Sequence, residues 1–198
     1  MKMQRKAKNS RKTSETEIYC KVNIDGKGLN KIKTPIPFMN HMLEQISKHS
    51  YIDLDVNCSG DVEIDAHHTI EDLGWCIGEA INNALLNKAG INRFASLSLP
   101  MDETLTSCSL DVSGRPWLEW KVILPNEKIG GVDSEIFEEF FRAFAQSAKM
   151  TIHIENKYGK NAHHIIESCF KVLAVCLRKS LSIMQSNKNI IPSTKGVI

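Results

Sequence analysis

Apolar residues occupy every second position in the first clearly patterned segment of the chain, residues 18–24. This alternation is typical of a strand with one buried face. Asp25-Gly26 follows directly and has the residue types of a tight turn. The pattern therefore predicts a hairpin over residues 16–34.

A helical period replaces the alternation in the next segment. Apolar residues recur at helical spacing over residues 38–49, and residues 52–58 then alternate as a strand. Residues 62–64 are predicted to form a second short strand. Asp65 can cap a further helix, because its carboxylate can accept backbone N–H groups of the first turn. The apolar positions of that helix fall within residues 70–85.

The second half of the chain repeats this order of elements. The pattern predicts strands near residues 104–112 and 117–124, a helix at 135–148, a strand at 150–155 and a helix from Ala162. Strands and helices thus follow one another in the same sequence as in the first half.

The two halves also share short motifs. Residues 65–71 (DAHHTIE) match residues 161–167 (NAHHIIE), including the polar residue that can cap each helix. The dipeptide at residues 15–16 (ET) recurs at 103–104 (ET), and each copy precedes a turn glycine by the same interval. Self-similarity of this kind indicates a duplication.

The duplication predicts an α+β fold of two half-domains, each a mixed sheet covered on one face by two helices. We expect a single domain over residues 13–198, with repeats at about 13–93 and 94–198. Residues 1–12 carry six lysines and arginines and almost no apolar side chain, so they are predicted to form a flexible, solvated tail. A nucleic-acid arm or a short targeting segment is the alternative for this stretch.

Composition narrows the classes of function. The chain has 198 residues, 42% of them hydrophobic, which is enough for one ordinary core. Its formal net charge of +2 gives no overall attraction to nucleic acid or to a membrane, so any phosphate site must be local. Six cysteines lie far apart without a CxxC pair, which predicts buried, reduced thiols in a cytoplasmic protein. No apolar run is long enough to span a bilayer.

Each copy of the duplicated motif contains a potential chelating pair. His67 and Glu71 are four residues apart, as are His163 and Glu167, so each pair shares one helical face and can hold a cation. A single histidine pair at a helix start is more often a surface or capping feature. The recurrence of the pair in both repeats favours metal binding.

The second histidine of each motif points in another direction. His68 and His164 lie about 100° around the helix axis from their neighbours, so they do not easily reach the same ion. This arrangement predicts two metal sites, each completed by residues from the other repeat. His153 lies on a strand, on the face opposite its apolar neighbours, and is a candidate for a further ligand.

A polar stripe on the first predicted helix adds to this set. His41, Gln45 and His49 are spaced by four residues and share a face beside the apolar one. We expect His41 to bind a metal, while Gln45 and His49 reach a bound substrate. Alone, a histidine here is more often an ordinary hydrogen-bonding residue.

Basic and hydroxyl side chains indicate a phosphate pocket near the metals. Lys171 extends the helical face that carries Glu167, and residues 192–196 (PSTKG) combine hydroxyls, an ammonium and a glycine in one loop. Arg93 comes three residues after Gly90, and Arg115 lies between a glycine and a proline that extends the backbone. Each feature alone has an ordinary structural explanation, such as a surface ion pair.

Together these motifs resemble the imidazoleglycerol-phosphate dehydratase family over residues 11–198. The motifs that carry the resemblance are Glu15-Thr16-Glu17-Ile18, His41-Met42-Leu43, His67-His68-Thr69-Ile70-Glu71-Asp72, Arg93-Phe94, Pro100-Met101-Asp102-Glu103, Ser113-Gly114-Arg115-Pro116, His163-His164-Ile165-Ile166-Glu167 and Pro192-Ser193-Thr194-Lys195-Gly196. The resemblance implies a ribosomal protein S5 domain 2-like fold.

The resemblance also implies two Mn²⁺ per active site, held by two sets of four side chains. The first set is His41, His68, His163 and Glu167. The second set is His67, Glu71, His153 and His164. The implied sites form between subunits of a homo-oligomer of 24 chains built from trimers.

The implied reaction is that of a carbon–oxygen lyase, the dehydration of D-erythro-imidazole glycerol 3-phosphate to imidazole acetol phosphate and water in histidine biosynthesis. The side chains expected to contact this small-molecule substrate are Glu15, Gln45, His49, Arg93, Arg115, Lys171, Ser193 and Lys195. The reaction also needs a group that moves a carbon-bound proton. The candidates are the carboxylates of Glu15, Glu71, Glu167 and Asp102.

Two other functions use some of the same residues. A di-metal hydrolase or phosphatase would use such ligands to generate hydroxide. A metal-storage or assembly protein would need the metals but not the basic residues. The chain also departs from the family at two positions, where Pro35 replaces a glycine and Asn40 replaces an aspartate. If Asn40 orients His41, this exchange weakens one metal site.

Overall fold

The computed structural model describes residues 5–198 as two halves, each with one four-stranded sheet and two helices. The elements of the first half are β1 (Lys6–Lys12), β2 (Thr16–Asn23), β3 (Asn30–Lys33), α1 (Pro37–Ser50), β4 (Asp53–Gly60) and α2 (His67–Ala84). Those of the second half are β5 (Phe94–Met101), β6 (Thr104–Asp111), β7 (Trp117–Lys121), β8 (Lys128–Ile129), β9 (Val132–Asp133), α3 (Ile136–Ala148), β10 (Thr151–Tyr158), α4 (Ala162–Ser180) and a 3-10 turn (Gln185–Asn187).

The two sheets have the same strand order and the same pairing directions. The first sheet runs β1-β2-β4-β3 and the second runs β5-β6-β10-β7. In both, the first three strands are antiparallel and the fourth is parallel to its neighbour. A short antiparallel ribbon, β8–β9, is inserted in the second half. This shared topology confirms the predicted duplicated α+β fold.

The four helices lie between the two sheets and join the halves. Helix α2 packs against α3, and α1 packs against α4, while α2 and α4 also cover the strands of their own sheets. The largest buried side chains of this layer are aromatic rings on α3 and α4: Phe137, Phe140, Phe141, Phe144 and Phe170. Burial of these apolar surfaces is the main favourable contribution to joining the two halves.

Two glycines on α2 allow its close contact with α3. A Cβ added at Gly74 would lie 2.4 Å from the carbonyl oxygen of Phe140. A Cβ added at Gly78 would lie 2.6 Å from the carbonyl oxygen of Phe144. Because these neighbours are helix backbone, a larger residue would push the two helices apart.

The prediction of a flexible tail was wrong for residues 6–12, which form edge strand β1 against β2. The first four residues lie outside the described part of the chain. Strand β1 turns polar side chains toward α2: Asn9 donates to Glu79 Oε2 at 2.7 Å, and Arg11 Nε donates to Asp72 Oδ1 at 2.6 Å. Because both of its faces are polar, the strand has no hydropathy pattern from which it can be predicted.

Two further predictions of strand structure were wrong. Strands β2 and β3 do not form a hairpin, because β4 lies between them and pairs with both. The connecting loop is held by Asp53, whose Oδ1 accepts the backbone N–H of Lys27 at 2.8 Å and of Leu29 at 3.0 Å. Residues 62–64 form a turn instead of a strand.

We predict that Asp72→Ala lowers the free energy of unfolding by about 1–3 kcal/mol, because it removes the buried partner of two donors. Asp72 accepts from Arg11 and, at 2.5 Å, from the Thr16 hydroxyl. Lys12→Ala is the matched control, since its ion pair with Glu17 is exposed and should change stability by less than about 1 kcal/mol. Denaturant unfolding of both variants measures the difference. If the Asp72→Ala and Lys12→Ala variants unfold with equal free energies, the Arg11–Asp72 contact does not anchor β1.

Candidate functional site

The packing of α1 on α4 brings together three predicted metal ligands. Nε2 of His163 lies 3.0 Å from Oε2 of Glu167, four residues later on α4. Nε2 of His41 on α1 lies 3.3 Å from the same oxygen. One ligand atom from each of the three side chains lies within 4.8 Å of the others. These side chains can therefore hold one cation without a change of backbone.

Glu167 is buried but remains a carboxylate. Burial opposes its ionisation, yet hydrogen bonds from Lys171 and His163 more than compensate and keep the pKa of Glu167 below its ordinary value. Lys171 Nζ lies 2.7 Å from Oε1 and so leaves Oε2 facing the two imidazoles. A negatively charged oxygen between two histidine nitrogens is a suitable ligand set for a divalent cation.

The corresponding pair on α2 is more open. His67 Nε2 lies 3.9 Å from Glu71 Oε2, and both side chains are about half exposed. His67 lines a cleft of about 420 Å³ formed with the β3–α1 loop and the β8–β9 ribbon. These two groups share a face, as the sequence predicts, but among the described residues no third potential ligand clusters with them.

The second histidine of each motif contacts a carboxylate through Nδ1. His68 Nδ1 lies 3.1 Å from Asp61 Oδ2 and 3.7 Å from Glu15 Oε2. His164 Nδ1 lies 2.8 Å from Glu103 Oε2. In both cases the hydrogen bond to the carboxylate raises the pKa of the histidine. The hydrogen bond from His164, with backbone donors, also lowers the pKa of Glu103.

His153 lies apart from the other histidines of the chain. Its strand neighbours Ile152 and Ile154 are buried under the helices, whereas His153 is exposed on the opposite face of the second sheet. There it lines a shallow cavity with Ser96 and Asp111. Its position opposite the helix layer separates it from the ligands carried by α2 and α4.

Two of the predicted phosphate contacts share one carboxylate. Arg93 Nε donates to Asp111 Oδ1 at 2.7 Å, and its Nη2 donates to Oδ2 at 3.2 Å. Arg115 Nη2 lies 3.8 Å from the same Oδ2. Arg93 Nη1 also donates to the carbonyl of Pro192 at 2.7 Å, which places the C-terminal loop beside both guanidinium groups. Asp111 thus brings these cations together at the C-terminal end of strand β6.

The remaining predicted substrate contacts fall into two groups. Ser193 and Lys195 lie in the C-terminal loop, where the serine hydroxyl accepts the backbone N–H of Lys195 at 3.2 Å. Gln45 lies beside His41, with its Nε2 3.4 Å from His41 Nδ1. Burial, together with Lys171 and Arg178, lowers the pKa of His49. Among the described hydrogen bonds, none links Lys171 to the Arg93–Asp111 group.

Within residues 5–198, one chain therefore assembles one cluster of three predicted metal ligands, His41, His163 and Glu167. A second group brings His68 together with the carboxylates of Glu15 and Asp61, and of these only His68 is a predicted ligand. Sequence reasoning missed the carboxylates that hold functional side chains: Asp61 on His68, Glu103 on His164 and Asp111 on Arg93. Glu103 could have been found, because it is the repeat counterpart of Glu15. Asp61 and Asp111 belong to no motif and had no comparable signal.

Asn40 has a role in the loop before α1. Its Oδ1 accepts the backbone N–H of Thr34 at 2.9 Å, and its Nδ2 donates to the Thr34 carbonyl at 3.4 Å. An amide can make both bonds, whereas a carboxylate could only accept. Within residues 5–198 the side-chain hydrogen bonds of Asn40 go to Thr34 and not to His41. Pro35 lines the cleft beside His67.

Within residues 5–198, no helix is both long enough and apolar enough to cross a membrane.

Comparison with known proteins supports the family resemblance that the sequence motifs indicate, along nearly the whole chain. The imidazoleglycerol-phosphate dehydratase family matches residues 34–177. The protein of that name from Agrobacterium fabrum is 50% identical over 195 residues, which cover 98% of this chain and 98% of that protein. The one from Rhodopseudomonas palustris is 50% identical over 192 residues, covering 97% and 98%.

Solved structures agree with the sequence relatives. Imidazoleglycerol-phosphate dehydratase from Staphylococcus aureus superimposes with a TM-score of 0.82 at 34% identity, covering 90% of this chain and 99% of that chain. IGPD from Pyrococcus furiosus gives a TM-score of 0.80 at 31% identity, covering 96% and 99%. The chain belongs to the imidazoleglycerol-phosphate dehydratase family.

Proposed function

We propose that this chain is a carbon–oxygen lyase that dehydrates D-erythro-imidazole glycerol 3-phosphate to imidazole acetol phosphate in histidine biosynthesis. The observation that carries the proposal is the family match over nearly the full length, together with the His41, His163 and Glu167 cluster. Neither the family match nor the named relatives support a phosphatase or other hydrolase.

We propose two Mn²⁺ as the cofactor, one for each copy of the duplicated motif. The ligands would be the two sets that the family resemblance implies. The cluster of His41, His163 and Glu167 supports this assignment, because its donors converge on one point. Imidazole and carboxylate also suit Zn, Fe, Co and Ni, so the choice of Mn²⁺ depends on the family resemblance.

The reaction removes a hydroxide from the carbon attached to the imidazole ring and a proton from the next carbon. When bound, the metal pair supplies electrophilic stabilisation of negative charge on the substrate imidazole. The resulting enol becomes the ketone when a proton is added at the carbon attached to the ring and the enol O–H proton is lost. Arg93, Arg115, Lys171, Ser193 and Lys195 would hold the phosphate through charge-assisted hydrogen bonds.

Of the four candidate carboxylates, we propose that Glu15 takes the carbon-bound proton. Glu167 has one oxygen bonded to Lys171 and the other facing two imidazoles, so it acts as a ligand. Glu71 faces its chelating partner His67. Glu15 is half exposed, and its 3.7 Å separation from His68 is longer than a hydrogen bond. The side chain of Asp102 is 78% exposed, against 47% for that of Glu15.

We propose a homo-oligomer of 24 chains built from trimers, as the family resemblance implies, in which a complete site combines side chains from several subunits. His153 is on the sheet face opposite the helices that carry the other ligands. That face carries several small side chains, including Ser96 and Ser109, whose hydroxyl oxygens lie 2.8 Å apart. The outer face of the first sheet carries Lys8, Glu17 and Lys21 instead, a pattern typical of a solvated surface.

We assign the protein to the cytoplasm. The six cysteines of the described chain are all buried and unpaired, as expected in a reducing compartment.

The test of the proposed function is the identity of the product. With Mn²⁺ present, we expect the purified protein to convert the substrate to the ketone without releasing inorganic phosphate, and a chelator to stop the reaction because the ligand clusters hold the metals. Ketone appearance and phosphate release are measured in the same sample. Phosphate release without ketone would identify a hydrolase and refute the proposal.

Glu167→Gln should lower turnover by orders of magnitude and reduce bound Mn²⁺ toward one ion per chain. A neutral amide is a poor ligand for a hard cation, and it also leaves Lys171 without a negatively charged partner. Activity and elemental analysis on the same preparation measure both effects. Glu139→Gln is a control on the surface of α3, where the side chain contacts only Arg142 among its described ion pairs. Normal metal content and turnover in Glu167→Gln would contradict the ligand assignment.

Shared sites predict that two inactive variants restore each other. We expect His153→Ala and Glu71→Gln each to be inactive, because each lacks a ligand of the same proposed set. After dissociation with a chelator, mixing and reassembly with Mn²⁺, some sites would receive both intact ligands from different subunits. Activity well above that of either variant treated alone is the expected result. Absence of recovery in correctly reassembled mixtures would place both ligands on one subunit.

A further inference from the structure

The repeat-related carboxylates Glu15 and Glu103 have different surroundings. Each precedes the second strand of its sheet, β2 or β6, and each lies near Nδ1 of the second histidine in its own motif. Glu103 is hydrogen-bonded to His164 at 2.8 Å, whereas Glu15 stays 3.7 Å from His68. In the first repeat, Asp61 makes the bond to histidine instead, at 3.1 Å.

The other carboxylate oxygen of Glu103 is fixed by three donors. Its Oε1 accepts the backbone N–H of Asn161 at 2.8 Å, the backbone N–H of Lys160 at 3.2 Å and the Thr104 hydroxyl at 3.1 Å. These donors come from the loop that leads into α4 and from the start of β6. The orientation of the carboxylate is therefore determined, and Oε2 is directed at His164 Nδ1.

This contact determines which ring nitrogen of His164 is available to a metal. A carboxylate only accepts hydrogen bonds, so the proton of a neutral imidazole is kept on Nδ1, and Nε2 retains its lone pair. The Nε2 atom faces away from Glu103, with the exposed Asp102 carboxylate 3.9 Å from it. Metal-bound histidines commonly have such an acceptor on the other nitrogen.

We propose that Glu103 is a positioning residue that fixes the tautomer of His164, so that Nε2 is presented as a metal ligand. Asp61 performs this task for His68, so Glu15 makes no hydrogen bond to its histidine. Two repeat-related glutamates thereby have different tasks: one orients a ligand, and the other remains available for proton transfer. This inference rests on the proposed di-metal function.

Glutamine at position 103 separates the tautomer effect from a loss of structure. In Glu103→Gln, the three donors require the amide oxygen to stay at the position of Oε1, so the NH₂ group must face His164 Nδ1. That nitrogen then has to accept, and the proton moves to Nε2, where it blocks metal binding. The backbone contacts of the loop are retained.

Asparagine at position 61 is the matched control. Asp61 Oδ1 is buried and has no hydrogen-bond partner among the described residues, so it does not fix the orientation of an amide. In Asp61→Asn, the amide oxygen can turn to His68 Nδ1 and preserve its tautomer. The two carboxylate-to-amide changes therefore have different expected effects on metal binding, although each removes one negative charge.

The experiment titrates Mn²⁺ into the metal-free full-length protein and its variants and follows thermal unfolding in parallel. We expect Glu103→Gln to weaken one of two Mn²⁺ equivalents by about 10- to 100-fold, with the unfolding temperature unchanged. Glu103→Ala should lose both metal affinity and thermal stability, because the loop contacts also disappear. Asp61→Asn should stay nearer to the wild-type affinity than Glu103→Gln.

The outcomes distinguish this inference from the proposed function. A wild-type protein that binds no Mn²⁺ would refute the di-metal function on which the inference rests. If the wild-type protein binds two ions and Glu103→Gln binds both with the same affinity, the positioning role of Glu103 is wrong and the di-metal function stands. Equal weakening in Glu103→Gln and Asp61→Asn would show that charge, rather than the tautomer, determines affinity.

Discussion

The buried contact between the helices of the two repeats is the constraint on which the rest of the structure depends. Each sheet leaves one apolar face, and each helix pair covers that face while offering a second apolar surface to the other repeat. Neither half could bury this surface alone. The close approach of α2 and α3 at Gly74 and Gly78 joins them. On the other side of the same layer, α1 meets α4, and this contact places His41 beside His163 and Glu167.

The buried charge in that cluster requires compensation from its own helix. A carboxylate removed from water is costly unless it is paired and hydrogen-bonded. Lys171, one turn beyond Glu167, supplies the pairing for one oxygen, and two imidazoles face the other. The spacing of His163, Glu167 and Lys171 on one helical face therefore serves both stability and ligand geometry. Lys171 consequently contributes to the metal site in addition to its proposed contact with phosphate.

Duplication gave the two repeats the same groups, and the packing around them made their roles different. Both motifs carry a chelating histidine–glutamate pair, but only the copy on α4 has a third ligand in the described chain, from α1. Both have a glutamate before the second strand, but only Glu103 is tied to its histidine by a hydrogen bond. Different packing around duplicated residues can thus provide two sets of metal ligands and, in one repeat, a carboxylate that is not hydrogen-bonded to its histidine.

The sequence by itself determined the helices, most of the strands and the duplication, because periodicity and the HHTIE and HHIIE motifs are encoded within short segments. It also determined the chelating pairs, since four-residue spacing on a helix fixes a shared face. Only the tertiary structure decided that β4 separates β2 from β3, that polar β1 joins the sheet, and that Asp61 and Asp111 hold functional side chains. These features depend on contacts between segments that are distant in the chain. Which segments pair is determined by the burial of whole surfaces, and such pairing leaves no pattern in the local sequence.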